Sequence, residues 1–295
     1  FIKEIFMKKL NLATTAAVAT VMSASGAYAD GLSLGGAVAH TFASGDGVSG
    51  WTSYGSSYTI NIDYTTTLDN GLGLAANVDL NPDDMATSGT LMTFSSDLGS
   101  VYFGTDFSSA VDDMDFAQGA ANWRNGGQLM SAGWTDGDAA SGDGIGLSTT
   151  VAGASVKLTL GETTDSTSAM SIAASMDFMG ATIKAGNTDF DTTGTDDQGF
   201  VTVGYSVGGF NLGWNHYDSD TTSMTQIGAS TTVAGLGVGV TSASTDMGAA
   251  ADTDATGIHV SGDLGGAFWV VDYVNTDNGD GTESDNYTIT FGTGF

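Results

Sequence analysis

From Tyr287 to Phe295 the chain alternates with a period of two. Tyr287, Ile289, Phe291, Thr293 and Phe295 fall on one face, and Asn286, Thr288, Thr290, Gly292 and Gly294 on the other. Successive side chains of a strand point to opposite sides, so such a segment must separate two different surroundings, one apolar and one polar. Chain ends usually fray, because few contacts repay the entropy of ordering them. An apolar final residue therefore implies a last strand held at a definite depth in something apolar.

The pattern recurs along the chain. "SYTINIDYTT" sets Tyr58, Ile60, Ile62 and Tyr64 against Thr59, Asn61 and Asp63, and "GLGLAANVDL" sets Leu72, Leu74, Ala76, Val78 and Leu80 against small or polar partners. "AMSIAASMDF", "GFVTVGYSV", "FNLGWNHY" and "GLGVGVTS" behave alike. One face is small or polar in almost every case, which the core of a soluble sandwich would not tolerate. The connections come in two alternating kinds. Tight Gly-containing turns ("LDNGL", "DLGS", "VAGA", "FMGA", "VGGF", "VAGL", "LGGA") alternate with longer segments rich in Asp, Ser, Thr and Gly. Seven short and eight long connections define sixteen strands, at about 32–42, 57–67, 71–80, 89–97, 100–106, 144–151, 154–162, 169–178, 181–188, 199–207, 210–218, 224–233, 236–244, 256–264, 267–275 and 285–295. The predicted fold is all-β, a 16-stranded antiparallel transmembrane β-barrel, because closure leaves no strand edge unpaired in lipid. A barrel of that size leaves a water-filled lumen.

The start of the chain supplies the destination. "MKKLNLATTAAVATVMSASGAYAD" has the positive pair Lys8 and Lys9, an apolar run, and the small-residue site Ala27-Tyr28-Ala29, the three parts of an export signal. The expected organisation is an upstream extension at 1–6, a signal peptide at 7–29 and a barrel domain at 30–295. No later stretch reaches the roughly 18 apolar residues of a membrane-spanning helix, whereas a β-span needs only about 9–11 alternating residues.

Charge excludes one class of partner. The whole chain carries a net charge of −28. Without its first 29 residues the value is about −30, and Arg124, Lys157 and Lys184 are the remaining basic residues. These three residues make no basic surface to displace counterions from phosphates, so nucleic acid is excluded. With no Cys there is no disulfide framework.

One connection is far longer than the rest, from about 107 to 143, and loops of that length are functional or disordered. Asp106, Asp112, Asp113 and Asp115 gather at its start, as candidate pore-lining carboxylates or as part of a solvated surface loop. Arg124 either bridges those carboxylates or lies on the surface. By alternation Lys157 and Lys184 face the lumen, together with Asp63 and Asp79. Trp214, Trp269, Tyr58, Tyr64 and Tyr273 fit aromatic girdles, although plain strand propensity predicts the same residues. The three histidines, His40, His216 and His259, show no serine and carboxylate arrangement, and no nucleophile or phosphate-loop motif is present. The expectation is therefore no enzyme and no required cofactor. "DTDATGIHVSGD" places Asp252, Asp254 and Asp263 at a spacing like that of a calcium loop, but with Thr at position five and strands on both flanks; a weak calcium site there is one expectation, diffuse divalent binding among loop carboxylates the other.

The signal, the alternating strands, the terminal Phe295 and "LGSVYFGTDFSSAVDDMDF" together resemble the general trimeric porins of Gram-negative outer membranes, most nearly their alphaproteobacterial branch. That resemblance implies a homotrimer embedded in outer-membrane lipid and lipopolysaccharide. It also implies a third loop folded into the barrel as an eyelet, and a last strand, Tyr287, Ile289, Phe291 and Phe295, read by the insertion machinery. The family's usual basic wall opposite the loop is absent, because the lumen faces of strands two to four offer Thr59, Asn61, Asp63, Asn77 and Asp79. The leading expectation is a passive channel for small hydrophilic solutes, selective for cations. The competing one is an acidic, calcium-bound surface-layer or adhesin-like β-protein.

Overall fold

Alternation without helix-like spacing gives, among the described residues, strands and their connections. The computed structural model describes residues 31–45, 52–80, 87–107, 110, 142–162, 168–191, 197–248 and 252–294. Sixteen strands follow in chain order: β1 Leu32–Gly45, β2 Thr52–Thr67, β3 Gly73–Leu80, β4 Thr87–Ser96, β5 Gly99–Phe107, β6 Gly142–Val151, β7 Ala154–Glu162 and β8 Ser168–Phe178 in the first half. The second half holds β9 Ala181–Phe190, β10 Gln198–Val207, β11 Phe210–Ser219, β12 Ser223–Val233, β13 Leu236–Asp246, β14 Thr253–Asp263, β15 Ala267–Asp277 and β16 Glu283–Gly294. Each pairs antiparallel with its sequence neighbours, and β1 pairs with β16 from Ala37 and Gly294 to Gly45 and Asn286, closing the barrel.

The two faces differ as the sequence pattern requires. Ile145, Leu147, Leu160, Ile172, Met176, Leu212, Trp214, Ile227, Val240, Ile258 and Phe291 point outward and stay exposed, the arrangement of a lipid-facing surface. Tyr102, Thr159, Ser171, Thr188, Thr202, Asn215, Gln226, Thr241, Asp272 and Thr288 point inward and are buried.

Several strands run past their expected ends at the long-loop rim. β2 begins at Thr52 and β14 at Thr253, and β1 extends to Gly45. Ser, Thr, Asp and Gly there read as loop, yet their backbones still pair, as in Ala43 with Thr52 and Thr245 with Thr253. Polar side chains cost nothing above the membrane, so composition marks the edge of the apolar band and not the end of the ladder. The first 30 residues, where the export signal was expected, lie outside the described residues, as does Phe295.

Candidate functional site: the inner wall

Among the described residues, the inward side chains of the strands line the interior of the closed barrel, and they divide into distinct patches. On β2 and β3, Asn77 Nδ2 donates to Asp63 Oδ1 at 2.8 Å, and Asp79 stands across from Asn61. On β7 and β9, Lys157 and Lys184 point inward, on the same faces as buried Thr159 and Thr188. The Lys157 Nζ lies 4.8 Å from the centroid of the Tyr102 ring. That ring crosses its register partner Gly146, where an added Cβ would sit 2.1 Å from a ring carbon. Only glycine lets the tyrosine lie flat there.

On β14 to β16 the Nδ1–H of His259 donates to Asp272 Oδ1 at 2.8 Å, and the Thr288 hydroxyl donates to Asp272 Oδ2 at 3.2 Å. Asp272 is 2% exposed, and a carboxylate so buried is tolerable only with such partners. The sequence held one usable signal for this pair. A tight turn at Leu264–Gly266 fixes the β14–β15 register and sets His259 opposite Asp272.

The patch that sequence reading missed is apolar. Phe200, Tyr217 and Met224 occupy one register row across β10, β11 and β12, face inward, and are at most 3% exposed. They form one buried cluster with Ala173, Ala243 and Ala110. The phase of alternation could have found them: Val201, Val203 and Tyr205 outward place Phe200 inward, and Trp214 and Ile227 outward place Tyr217 and Met224 inward. The next row, Thr202, Asn215 and Gln226, is fully buried, and Asn215 Nδ2 donates to Gln226 Oε1 at 3.0 Å. Ala110 belongs to the connection between β5 and β6. Its N–H donates to the inward Thr159 Oγ1 at 2.9 Å, with both groups buried.

Of the proposed constriction residues, Asp106 has its backbone in β5, while Asp112, Asp113, Asp115 and Arg124 lie outside the described residues. Tyr287, Ile289 and Phe291 lie on β16, with Tyr287 and Phe291 exposed on the outer face. The calcium expectation at Asp252, Asp254 and Asp263 needs correction. The segment is a strand, not a loop; Asp254 and Asp263 are at opposite ends of β14, about 30 Å apart at strand rise, so they cannot share an ion. Among the described residues no group of three or more His, Asp or Glu is placed to hold a metal. A groove of about 700 Å³ near the long-loop rim is lined by Asp143, Ile145, Leu160, Met170 and Asp189. Its apolar lining belongs to the outer face and not to the lumen.

The model of one family, described as Gram-negative porin, matches residues 13–292. The chain belongs to the Gram-negative porin family. This porin is similar in fold to the in-vitro folded OmpT, an outer membrane protein of Vibrio cholerae, at 15% identity and a TM-score of 0.69, with 90% of this chain and 97% of that one covered. A trimer form of the same Vibrio cholerae protein gives 16% identity and a TM-score of 0.68, covering 90% and 99%. A mutant of the Rhodobacter blastica porin gives 18% identity and a TM-score of 0.65, covering 90% and 100%. No curated protein matches significantly. A porin with a closed sixteen-strand barrel is an outer-membrane channel, and the surface-layer reading falls with that closure.

Proposed function

We propose that this porin is a water-filled, cation-selective channel for passive diffusion of ions and small hydrophilic solutes, narrowed by an in-folded third loop. Ala110 carries the proposal. Its N–H rests on an inward hydroxyl and its methyl group is buried among inward side chains. Asp112, Asp113 and Asp115 follow it by two, three and five residues. An extended chain spans at most about 3.5 Å per residue, so the Cα atoms of all three lie within roughly 18 Å of that of Ala110. In a narrow passage bounded by a low-dielectric wall, such carboxylates attract cations and repel anions. Diffusion down a gradient calls for no cofactor and no catalysis. A homotrimer in lipid and lipopolysaccharide, delivered by an export signal at 7–29 and assembled by the insertion machinery, completes the reading. Its mass in mild detergent reports the oligomer directly.

The selectivity is tested by the reversal potential across a planar bilayer in a KCl gradient. The wild type favours K⁺, and the preference weakens only partly as salt rises, because charges at the rim are screened beyond about 10 Å at 0.1 M while those in a constriction are not. Replacing Asp112, Asp113 and Asp115 together by Asn reduces the preference. A triple variant with undiminished K⁺ preference at high salt removes these carboxylates from the constriction.

A further inference from the structure

We infer that one sector of the short-turn rim, from β6 to β13, is a lipid-inserted edge: its four turn tips sit at the boundary between headgroups and acyl chains, while the turns of β2–β3, β4–β5 and β14–β15 stay in water. Four consecutive hairpins close this sector, and the last rung of each is apolar: Val151 with Ala154, Phe178 with Ala181, Val207 with Phe210, and Val233 with Leu236. Val151, Phe178, Val207, Phe210 and Val233 point outward and are each about half exposed. The two residues beyond each rung are Ala152-Gly153, Met179-Gly180, Gly208-Gly209 and Ala234-Gly235, so none of the four tips carries a polar side chain. Protein does not cover them. A Cβ added at Gly153, Gly208, Gly209 or Gly235 would meet no atom within 4 Å, and Met179 is 85% exposed. The other three turns differ, because Asp69 and Asn70, Asp97, and Asp263 stand in or beside them. The Asp263 carboxylate serves its own turn, accepting from the Gly265 N–H at 2.6 Å.

Continuity with the outer face identifies what covers this edge. On β8 every outward residue from Met170 to Phe178 is apolar, and the column runs into the turn without a polar break. At a strand rise of about 3.4 Å and a tilt of about 40°, that column spans roughly 21 Å of membrane height, and the stretch from Ile227 to Val233 on β12 roughly 16 Å. The apolar band of an outer-membrane barrel is about 25 Å tall, so the strands alone leave it short. The long-loop end does not supply the rest. There the outer face of β11 and β12 turns polar, with His216 Nδ1 and Thr225 Oγ1 3.0 Å apart and Asp218 exposed beyond them. The missing height therefore lies at the turns. Phe178, Tyr205 and Phe210, aromatic side chains of the kind that mark a membrane interface, stand at the last rungs or one outward position before, and the Tyr205 ring lies 3.3 Å from where a Cβ of Gly180 would be. Tips one or two residues beyond such a girdle reach the headgroups and the upper acyl carbons. A soluble partner would cover the tips alone, whereas here tips and lipid-facing wall form one apolar surface. The contact is one-sided, since carboxylates at Asp69, Asp97 and Asp263 would be costly at the same depth.

Depth-dependent quenching tests this on the full-length porin in phosphatidylcholine vesicles. The chain has no Cys, so Ala152→Cys, Ala234→Cys, Asn70→Cys and Asp97→Cys each give a single site for a bimane label. Lipids brominated near the headgroup are expected to quench the labels at 152 and 234 several-fold more than those at 70 and 97, and acrylamide on both sides of the bilayer is expected to show the reverse order. All four positions carry the same label, so its own affinity for lipid cancels in the comparison. Heat-modifiable mobility reports that each labelled chain is folded, and the two tip positions lie in separate hairpins, so either decides if the other variant does not fold. Acrylamide quenching as strong at 152 and 234 as at 70 and 97 puts the tips in water and overturns the insertion. Labels at 152 and 234 reached by neither quencher lie under protein, a second copy or a partner, and overturn it equally. Strong quenching by the brominated lipids at all four positions overturns the one-sided edge, because the whole rim would then sit at one depth.

Discussion

Ala152, Met179 and Ala234 carry side chains at φ 51°, 52° and 52°, and each is followed by a glycine, at φ 86°, 85° and 83°. Two successive positive values are what a two-residue hairpin of the favoured twist requires. Alanine and methionine gain nothing there and meet their own carbonyl, at a cost of about 1–2 kcal/mol, whereas Asn tolerates the region. Met179→Asn is therefore expected to stabilise the barrel by about 1 kcal/mol, read as a higher urea midpoint in lipid vesicles; an unchanged or lower midpoint contradicts the strain. "VAGA" and "FMGA" were legible as turns because Gly marks them, but the strain in the preceding residue was not, since neither Ala nor Met advertises it. His259 and Asp272 could be read only by counting register from the turn at Leu264–Gly266. They are 13 residues apart and meet only through the register of two strands.

At the scale of the element, the β-strand face decides the cost of a charge. Ile172 lies at the middle of β8 and is half exposed on the outer face, while its neighbour Ser171 is buried on the inner one. Ile172→Lys is expected to cost about 2–4 kcal/mol near the bilayer midplane and to lower the yield of folded barrel. The same substitution outside the apolar band, at Ser219, is expected to cost far less; equal yields at the two sites count against the assigned outer face. All sixteen strands were legible because lipid on one side and water on the other enforce a period of two. The walls inside were less so, since an inward Phe200 or Met224 looks like any apolar strand residue until its phase is counted. Asp112 to Asp115 and Arg124 gave charge without position, because no alternation runs through that loop. A connection outside the membrane offers a pH test. In the β15–β16 loop the Thr282 hydroxyl and N–H both donate to Asp280, which holds its carboxyl below the usual carboxylate range. A lowered value means that the turn's stabilisation is present above the ordinary carboxylate pKa and is lost as pH falls through the lowered one. The Thr282 amide resonance in micelles is expected to move only below the usual carboxylate range, and a midpoint at or above it removes the proposed bonds.

For the whole molecule the last strand is the closing piece. β16 pairs with β15 from Ala267 and Thr293 to Asp277 and Glu283, and with β1 from Ala37 to Gly45, so it alone joins the two ends of the chain. Until it is seated, β1 and β15 both present open edges, which lipid cannot satisfy. Its outer face packs while it pairs: the Tyr273 and Tyr287 rings stand 4.9 Å apart, and Phe291 lies between Trp269 and His40 in register. Closure therefore depends on β16, and the period-two apolar face continues in sequence to Phe295. Deleting Phe295 is expected to lower the fraction of heat-modifiable, folded barrel in outer membranes, and Phe291→Asp to lower it further, because the charge would enter lipid at the seam. In vesicles without insertion machinery, the Phe291→Asp defect is expected to persist, since it is a packing and solvation cost. The Phe295 deletion is expected to fold there nearly as well as the wild type if the residue acts as an assembly signal. Equal defects in both settings would make Phe295 a stability residue only, and no defect in either would separate closure from the chain end altogether.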